Sequence, residues 1–267
     1  MEARTNVPVA MTIASSDSGG GAGIQADLKA FAACGVHGTS AIAALTAQNT
    51  HEVLSIETLP RQFILDQVRA VASDLGVDAV KIGMLFDTPT IEAVDETLDL
   101  VGDAPIVLDP VMVAESGARL LDEDALGALR DLIVPRATVV TPNLPEARIL
   151  AGAGADAEAG ELAQAIHALG PPVVVVTGGH REEATDVFYD GDQLVELAGE
   201  RHPDGAAHGS GCTHSSALAA WLARGATPLE AARRAKELAS AAVAAGLRDV
   251  GAGPGPVDAL GAGGRVP

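Results

Sequence analysis

Short apolar runs alternate with stretches of helical periodicity along nearly the whole chain, and this alternation leaves few folds open. The plainest run is Val173–Val176, four β-branched residues stopped by Thr177-Gly178-Gly179. Val7–Ala14, Thr39–Ala47, Ala79–Ile82, Ile106–Leu108 and Thr138–Val140 read as further strands. Between them, Ile24–Cys34 and Pro60–Leu75 carry helical spacing, and Thr88-Pro89 reads as a cap with proline at the first helical position. Asp186–Tyr189 and Leu194–Leu197 flank Asp190-Gly191-Asp192-Gln193 as a hairpin placed late in the pattern. Thr227-Pro228-Leu229-Glu230 reads as a capping box, opening a long helix that closes at Gly246. The glycine- and proline-rich tail from Gly251 is expected to be non-helical, and loop or disordered over 261–267. Alternating strand–helix units predict an α/β fold: a mainly parallel sheet with helices on both faces, in one domain of 267 residues with its core over 7–260.

In such sheets ligands gather beyond the carboxyl ends of the strands. Asp17, Lys81, Asp109, Asn143, Glu146, Thr177 and His180 all fall at those ends. Loops are polar by default, so the seven point to an enzyme only as a set.

His208–Ala219, H-G-S-G-C-T-H-S-S-A-L-A, is the most distinctive polar stretch. Gly209 and Gly211 flank Ser210, and an apolar helical pattern through Leu218, Trp221 and Leu222 follows at once, ending near Gly225. A glycine turn at a helix N-terminus aims unpaired N–H groups and the positive end of the dipole at one spot, which suits phosphate. Cys212 lies in that first turn, where the same field is expected to favour the thiolate. A simple glycine turn with a small buried cysteine fits these twelve residues equally well.

Other motifs narrow the chemistry. Ser15–Asp27, S-S-D-S-G-G-G-A-G-I-Q-A-D, follows a strand but lacks the spacing of a dinucleotide fingerprint. No Gly-Lys-Ser/Thr occurs, so a nucleotide must be held without a Walker loop. Asp27 is either a solvated helix residue or a ligand for a polar substrate. Asp109 and the pair Asn143/Glu146 offer oxygen ligands of the kind that hold Mg²⁺ with water and phosphate. Asn143 and Glu146 also fit a reciprocal helix cap, and the two roles are compatible. The seven histidines show no zinc-like spacing.

A formal charge of −19 argues against nucleic acid as a partner, since its phosphates would be repelled. Only Lys29, Lys81 and Lys236 are lysines, and this acid-rich, lysine-poor balance is expected of a protein from a salt-rich cell, though an ordinary acidic protein shares it. No apolar run reaches the roughly 18–20 residues of a membrane span. Two cysteines and a start without a signal-like segment predict a cytoplasmic protein.

Taken in order, S-D-S-G-G-G-A-G-I-Q-A-D-L-K, A-L-T-A-Q-N-T, K-I-G-M-L, L-D-P-V-M-V-A-E-S-G, T-P-N-L-P-E-A, T-G-G-H, H-G-S-G-C-T and G-P-V-D closely resemble the hydroxymethylpyrimidine/phosphomethylpyrimidine kinases of thiamine synthesis. The likeness runs from about Met11 to Leu260. It implies a ribokinase-like three-layer α/β/α fold and ATP- and Mg²⁺-dependent phosphorylation of 4-amino-5-hydroxymethyl-2-methylpyrimidine, then of its monophosphate. It further implies that Ala22, Asp27, Gln48, Met84 and Val111 line the pyrimidine pocket. Asn143, Glu146, Thr177 and Lys236 would serve the nucleotide, with Asp109 and Glu146 toward Mg²⁺. Gly209, Ser210, Gly211 and Cys212 would form the catalytic anion hole, in a homodimer. Cys212 stands where sugar kinases of this fold carry an aspartate base, and it either takes the substrate's hydroxyl proton or only orients the hydroxyl.

Three departures from the family pattern stand out. The first loop lacks its usual proline, Glu115 replaces a lysine, and Thr177 replaces another. Weaker ATP binding at low Mg²⁺ is the expected consequence, unless Arg119 compensates. A pyridoxal kinase of similar fold is the nearest alternative. Alanine at Ala114, where some relatives that phosphorylate pyridoxal carry a cysteine, favours the pyrimidine, as do Gln48 and Met84. A non-catalytic sensor of thiamine precursors is a further alternative.

Overall fold

The computed structural model describes residues 7–114, 117–179 and 184–264. In chain order the elements are β1 (Val9–Asp17), α1 (Gly23–Ala33), β2 (His37–Gln48), β3 (Val53–Thr58), α2 (Arg61–Asp74), β4 (Ala79–Ile82), α3 (Thr88–Thr97), β5 (Ile106–Leu108), α4 (Ala125–Ala128), β6 (Val139–Val140), α5 (Leu144–Ala151), α6 (Ala159–His167), β7 (Val173–Val176), β8 (Asp186–Tyr189), β9 (Leu194–Leu197), α7 (Ser210–Ala223) and α8 (Pro228–Ala244). Among the described residues all nine strands lie in one sheet, ordered β3-β2-β1-β4-β5-β6-β7-β8-β9. The six central strands are parallel, with β3 antiparallel at one edge and β8–β9 at the other.

Side chains alternate across this sheet with the period of two that strands impose. Met11, Ile13, Val80, Ile82, Ile106, Leu108, Val174 and Val176 face the core with α2, α3, α5 and α6. Ala10, Val107, Val139, Val173 and Val175 face the opposite core with α1, α7 and α8. Both faces are buried, so the central strands are apolar throughout. Lys81 and Thr12 break that rule: paired across β4 and β1, both are fully buried.

Four local expectations need correction. β1 runs on to Asp17, because Ser16 and Asp17 continue the ladder with Leu45 and Thr46 of β2. β3 gave no apolar run, since its residues are half-buried or exposed; its backbone pairing with β2 makes it a strand. Asp87, not Thr88, caps α3, its carboxylate accepting from the Thr90 N–H at 2.9 Å. At Thr227 only the forward half of the box forms, since the Glu230 carboxylate pairs with Arg234 instead. The tail also carries more order than its glycines imply. Asp258 accepts from the Ala262 and Gly263 N–H groups at 2.8 Å each, closing a 3₁₀ turn over Ala262–Gly264. Residues 265–267 lie outside the described residues.

Candidate active site

Two cavities open beyond the carboxyl ends of the parallel strands and meet at the N-terminus of α7. The smaller, about 160 Å³, brings together Ala22, Gln48, Met84, Asp109, Val111, Asn143, Glu146, Thr177 and the Gly209–Cys212 turn. The larger, about 380 Å³, is walled by Asp186, His202, His214, Lys236, Ala239 and Val243. Thr177, Gly179, Ala207, Ser210 and Gly211 belong to both. His180 and Glu115 lie outside the described residues.

The turn at the junction depends on backbone shape. Gly209 has φ +84°, and a Cβ there would run into the Gly21 carbonyl of the first loop. Only glycine fits such an approach at positive φ. The Ser210 and Thr213 N–H groups are taken by Ala207 and Gly209 carbonyls, so those of Gly211 and Cys212 point out of the helix end. His208 anchors the turn. Its backbone bridges the chain at Gly255 and Val257, while its ring Nε2 lies 3.3 Å from Asp17 Oδ2. Asp17 also accepts from the N–H groups of Gly19, Gly21 and Ala22 at 2.8–3.0 Å. Burial raises its carboxyl, but the His208 bond and the loop amides outweigh that and hold it below the ordinary value. No spacing signal announced the His208–Asp17 pair, which joins residues 191 apart in sequence.

The structure overturns the expectations for Asp27 and Cys212, and shows how Lys236 and Arg119 are held. Asp27 is fully buried and does not line the cavity. It accepts from Thr12, Ser216 and Lys81, and so is neither a solvated helix residue nor a wall of the pocket. Lys236 lines the larger cavity, with its ammonium committed to Asp186 at 2.6 Å and to the Ala184 carbonyl. Cys212 is not a low-pKa thiol. The residue is half-buried at the cavity wall, and desolvation there pushes the thiol up to about 12, with Asp109 and Asp27 adding to this and Lys81 only partly offsetting it. The helix field is present, but desolvation of the thiolate is larger. Arg119 does not line either cavity; its guanidinium pairs with Glu123 at the surface.

The carboxylates at the strand ends are shifted too. Burial, then the charge of Asp109, pushes Glu146 up to about 8, against hydrogen bonds from the Asn143 and Met112 N–H groups. Burial also raises Asp109, which accepts from Ser215 Oγ at 2.9 Å. Two desolvated carboxylates side by side favour a cation between them. Among the described residues no three His, Cys, Asp or Glu side chains cluster as a metal cage. The oxygens of Asp109, Glu146 and Asn143 are donors of the kind that Mg²⁺ takes together with water and phosphate.

Residues 17–258 match the family described as phosphomethylpyrimidine kinase. The hydroxymethylpyrimidine/phosphomethylpyrimidine kinase of Rhizobium meliloti is 49% identical over 255 residues, covering 93% of this chain and 96% of that one. The enzyme of the same name from Streptomyces coelicolor is 44% identical, with 94% of each chain covered. Among solved structures, the pyridoxal kinase of Staphylococcus aureus in complex with ADP superposes with a TM-score of 0.88 at 32% identity, over 98% of this chain and 96% of that one. The chain belongs to the phosphomethylpyrimidine kinase family, on a ribokinase-like α/β fold.

Proposed function

We propose that this kinase transfers the γ-phosphoryl group of ATP to the hydroxyl of 4-amino-5-hydroxymethyl-2-methylpyrimidine, and then to the monophosphate so formed. The observation that carries the reading is the meeting of two cavities at one helix N-terminus, with an acceptor-sized space on one side and a larger space on the other. Gln48, Met84, Val111 and Ala22 wall the acceptor side. The Gln48 amide offers a donor and an acceptor to an aminopyrimidine edge, while Thr46 donates to its Oε1 at 3.1 Å. ATP takes the larger side, where the Thr177–Gly179 turn and the Lys236–Asp186 pair lie.

The Gly211 and Cys212 N–H groups receive the transferring phosphoryl oxygens. The acceptor oxygen bonds to the γ-phosphorus as the bond to the bridging oxygen breaks, and ADP departs with the electron pair. Such a transfer needs positioning and charge neutralisation above all. Asp109 and Glu146, with Asn143 beside them, would hold Mg²⁺, whose charge would neutralise the phosphates. With Thr177 in place of a lysine and Arg119 turned to Glu123, that neutralisation falls chiefly to the metal. The Cys212 sulfur takes the hydroxyl proton. Because it is a thiol in the free protein, its thiolate is scarce at neutral pH.

The structural likeness to pyridoxal kinase keeps pyridoxal as a second reading. The greater identity to the thiamine-pathway enzymes and the small Ala114 in the cavity wall favour the pyrimidine. A competition assay decides. The hydroxymethylpyrimidine, its monophosphate and pyridoxal are incubated together with ATP, Mg²⁺ and KCl, and products are read by mass spectrometry. Pyrimidine diphosphate is expected. Pyridoxal phosphate alone would move the assignment to pyridoxal, and bound ligand without product would leave a sensor.

We further read the protein as a cytoplasmic homodimer from a salt-rich cell. The acid-rich, lysine-poor composition, with a net charge of −19, supports the salt-rich reading. Sedimentation at low and high KCl tests the dimer and the salt requirement: a dimer at high salt that unfolds at low salt is expected.

A further inference from the structure

One ion pair lies inside the core shared by α1, α7 and the sheet. Lys81 Nζ sits 2.9 and 3.0 Å from the two Asp27 oxygens, and both side chains are fully buried. Asp27 is saturated: Thr12 Oγ1 donates to it at 2.6 Å and Ser216 Oγ at 2.7 Å, so it has no reach toward a ligand. Lys81, by contrast, lines the acceptor cavity. Space is kept for its ammonium, since a Cβ at Gly83 would stand 2.7 Å from Nζ and 3.0 Å from Ala14 Cβ.

Stability alone does not account for this arrangement. A buried ion pair pays a large desolvation cost, and apolar replacements of similar volume are often neutral or stabilising. Its position is informative. Ser216, which holds Asp27, is one helical turn after Cys212 and on the same face of α7. The pair therefore lies beneath Cys212. The groups that act most strongly on the sulfur are Lys81 of β4, Asp109 after β5, Asp27 of α1 and the Gly23 N–H. Lys81 is the one cationic side chain among them.

We propose that Lys81 is a positioning residue for the transfer: its ammonium, locked by Asp27 beneath the first turn of α7, is the cation that lets the Cys212 sulfur carry the negative charge with which it accepts the substrate's hydroxyl proton. In that step the acceptor O–H bond breaks and an S–H bond forms. Asp27 fixes the cation in place, and Lys81 offsets the two carboxylates, Asp109 and Asp27, that act most strongly on the sulfur. This rests on the reading of Cys212 as proton acceptor, so its test includes a signal that needs no turnover.

The variant is the neutral pair Lys81→Met with Asp27→Asn. The signal is the rate at which iodoacetamide alkylates Cys212, resolved from Cys34 by peptide mass spectrometry, against pH. The inflection is expected to move up by about a unit, slowing alkylation about tenfold at pH 8. kcat should fall about tenfold or more, while KM for the pyrimidine stays within about twofold. A folded double variant with the parent's inflection and kcat overturns the inference. Should it fail to fold, Asp27→Asn alone answers. With its carboxylate partner gone, Lys81 is left to oppose Cys212, and the inflection moves down. A looser fold would quicken alkylation at every pH without moving the inflection, and an unmoved inflection overturns the inference. Failure of the kinase reading itself would show separately, as absence of product from the parent protein.

Discussion

Asn143 and Glu146 each close the other's end of α5. The Asn143 side-chain oxygen accepts from the Glu146 N–H at 2.9 Å, and Glu146 Oε2 accepts from the Asn143 N–H at 3.0 Å. Glu146 Oε1 also accepts from the Met112 N–H at 3.3 Å, so the cap fixes a buried carboxylate beside Asp109. Glu146 titrates near 8 in the fold and ordinarily near 4.5. The folded form thus holds a proton that the unfolded chain has released, and stability attributable to this group falls as pH rises from 4.5 to 8. Glu146→Gln should therefore gain thermal stability relative to the parent as pH rises across that window, while losing at least about tenfold in kcat. Calorimetry without ligands at pH 5, 6.5 and 8 checks it. A constant difference would contradict the raised carboxyl.

Under the proposed role of Glu146 in holding Mg²⁺, the same proton governs metal uptake. Mg²⁺ must displace it below pH 8, so apparent Mg²⁺ affinity should rise with pH up to about 8 and level off above. Titration calorimetry in two buffers of different ionisation enthalpy at pH 7 should report proton release on binding. No release would remove Glu146 from the Mg²⁺ site.

Cys212 makes a kinetic prediction. With its thiol near 12 in the free protein, kcat/KM should still be climbing at pH 10, after Glu146 has titrated. Cys212→Ala should lose about 10²- to 10⁴-fold and flatten that limb. A flat limb in the parent would mean that the sulfur only orients the hydroxyl.

Gly209 and Gly225 share φ +84°, but only Gly209 faces a neighbour, the Gly21 carbonyl. Both alanine variants carry the left-handed strain of about 1–2 kcal/mol. Gly209→Ala should also deform the anion-binding turn and cost about 10²-fold or more in kcat. Gly225→Ala should lower the melting temperature and leave kcat intact. Paired melting and steady-state assays separate the two effects.

Asp186 holds the Gly178 N–H at 2.7 Å and the Lys236 ammonium at 2.6 Å, and faces His214 at 3.4 Å. Burial raises its carboxyl, but His214 and Lys236 outweigh that and keep it ionised. Asp186→Asn should raise KM for ATP about tenfold with little change for the pyrimidine, since only the larger cavity is walled by it. Lys236→Met should do the same, and the double variant should cost no more than either alone. An effect on the pyrimidine KM would place the pair on the acceptor side.

The strands, the late hairpin, the glycine turn of α7 and the Asn143–Glu146 cap were legible in the chain because each follows from a few consecutive residues. Val173–Val176 could hardly be anything but a buried strand, and Thr227 announced α8 through its own side chain. β3 escaped because its pattern carries no buried face. Asp87 was passed over as the cap of α3 because the threonine beside it suits that position as well.

The sequence by itself determined the alternation that builds the sheet, and therefore the strand ends at which Asp109, Asn143 and Thr177 gather. Only the tertiary structure decided what the charged groups do there. Asp27 meets Lys81 from 54 residues away and Ser216 from 189, and their contact turns a seeming substrate ligand into a buried anchor. Cys212 has the same helix terminus in both views, but its acidity depends on how much water the rest of the chain excludes and on carboxylates from distant strands. Local periodicity fixes backbone shape over one or two turns. Desolvation and Coulomb energy depend on everything the fold brings within a few ångströms.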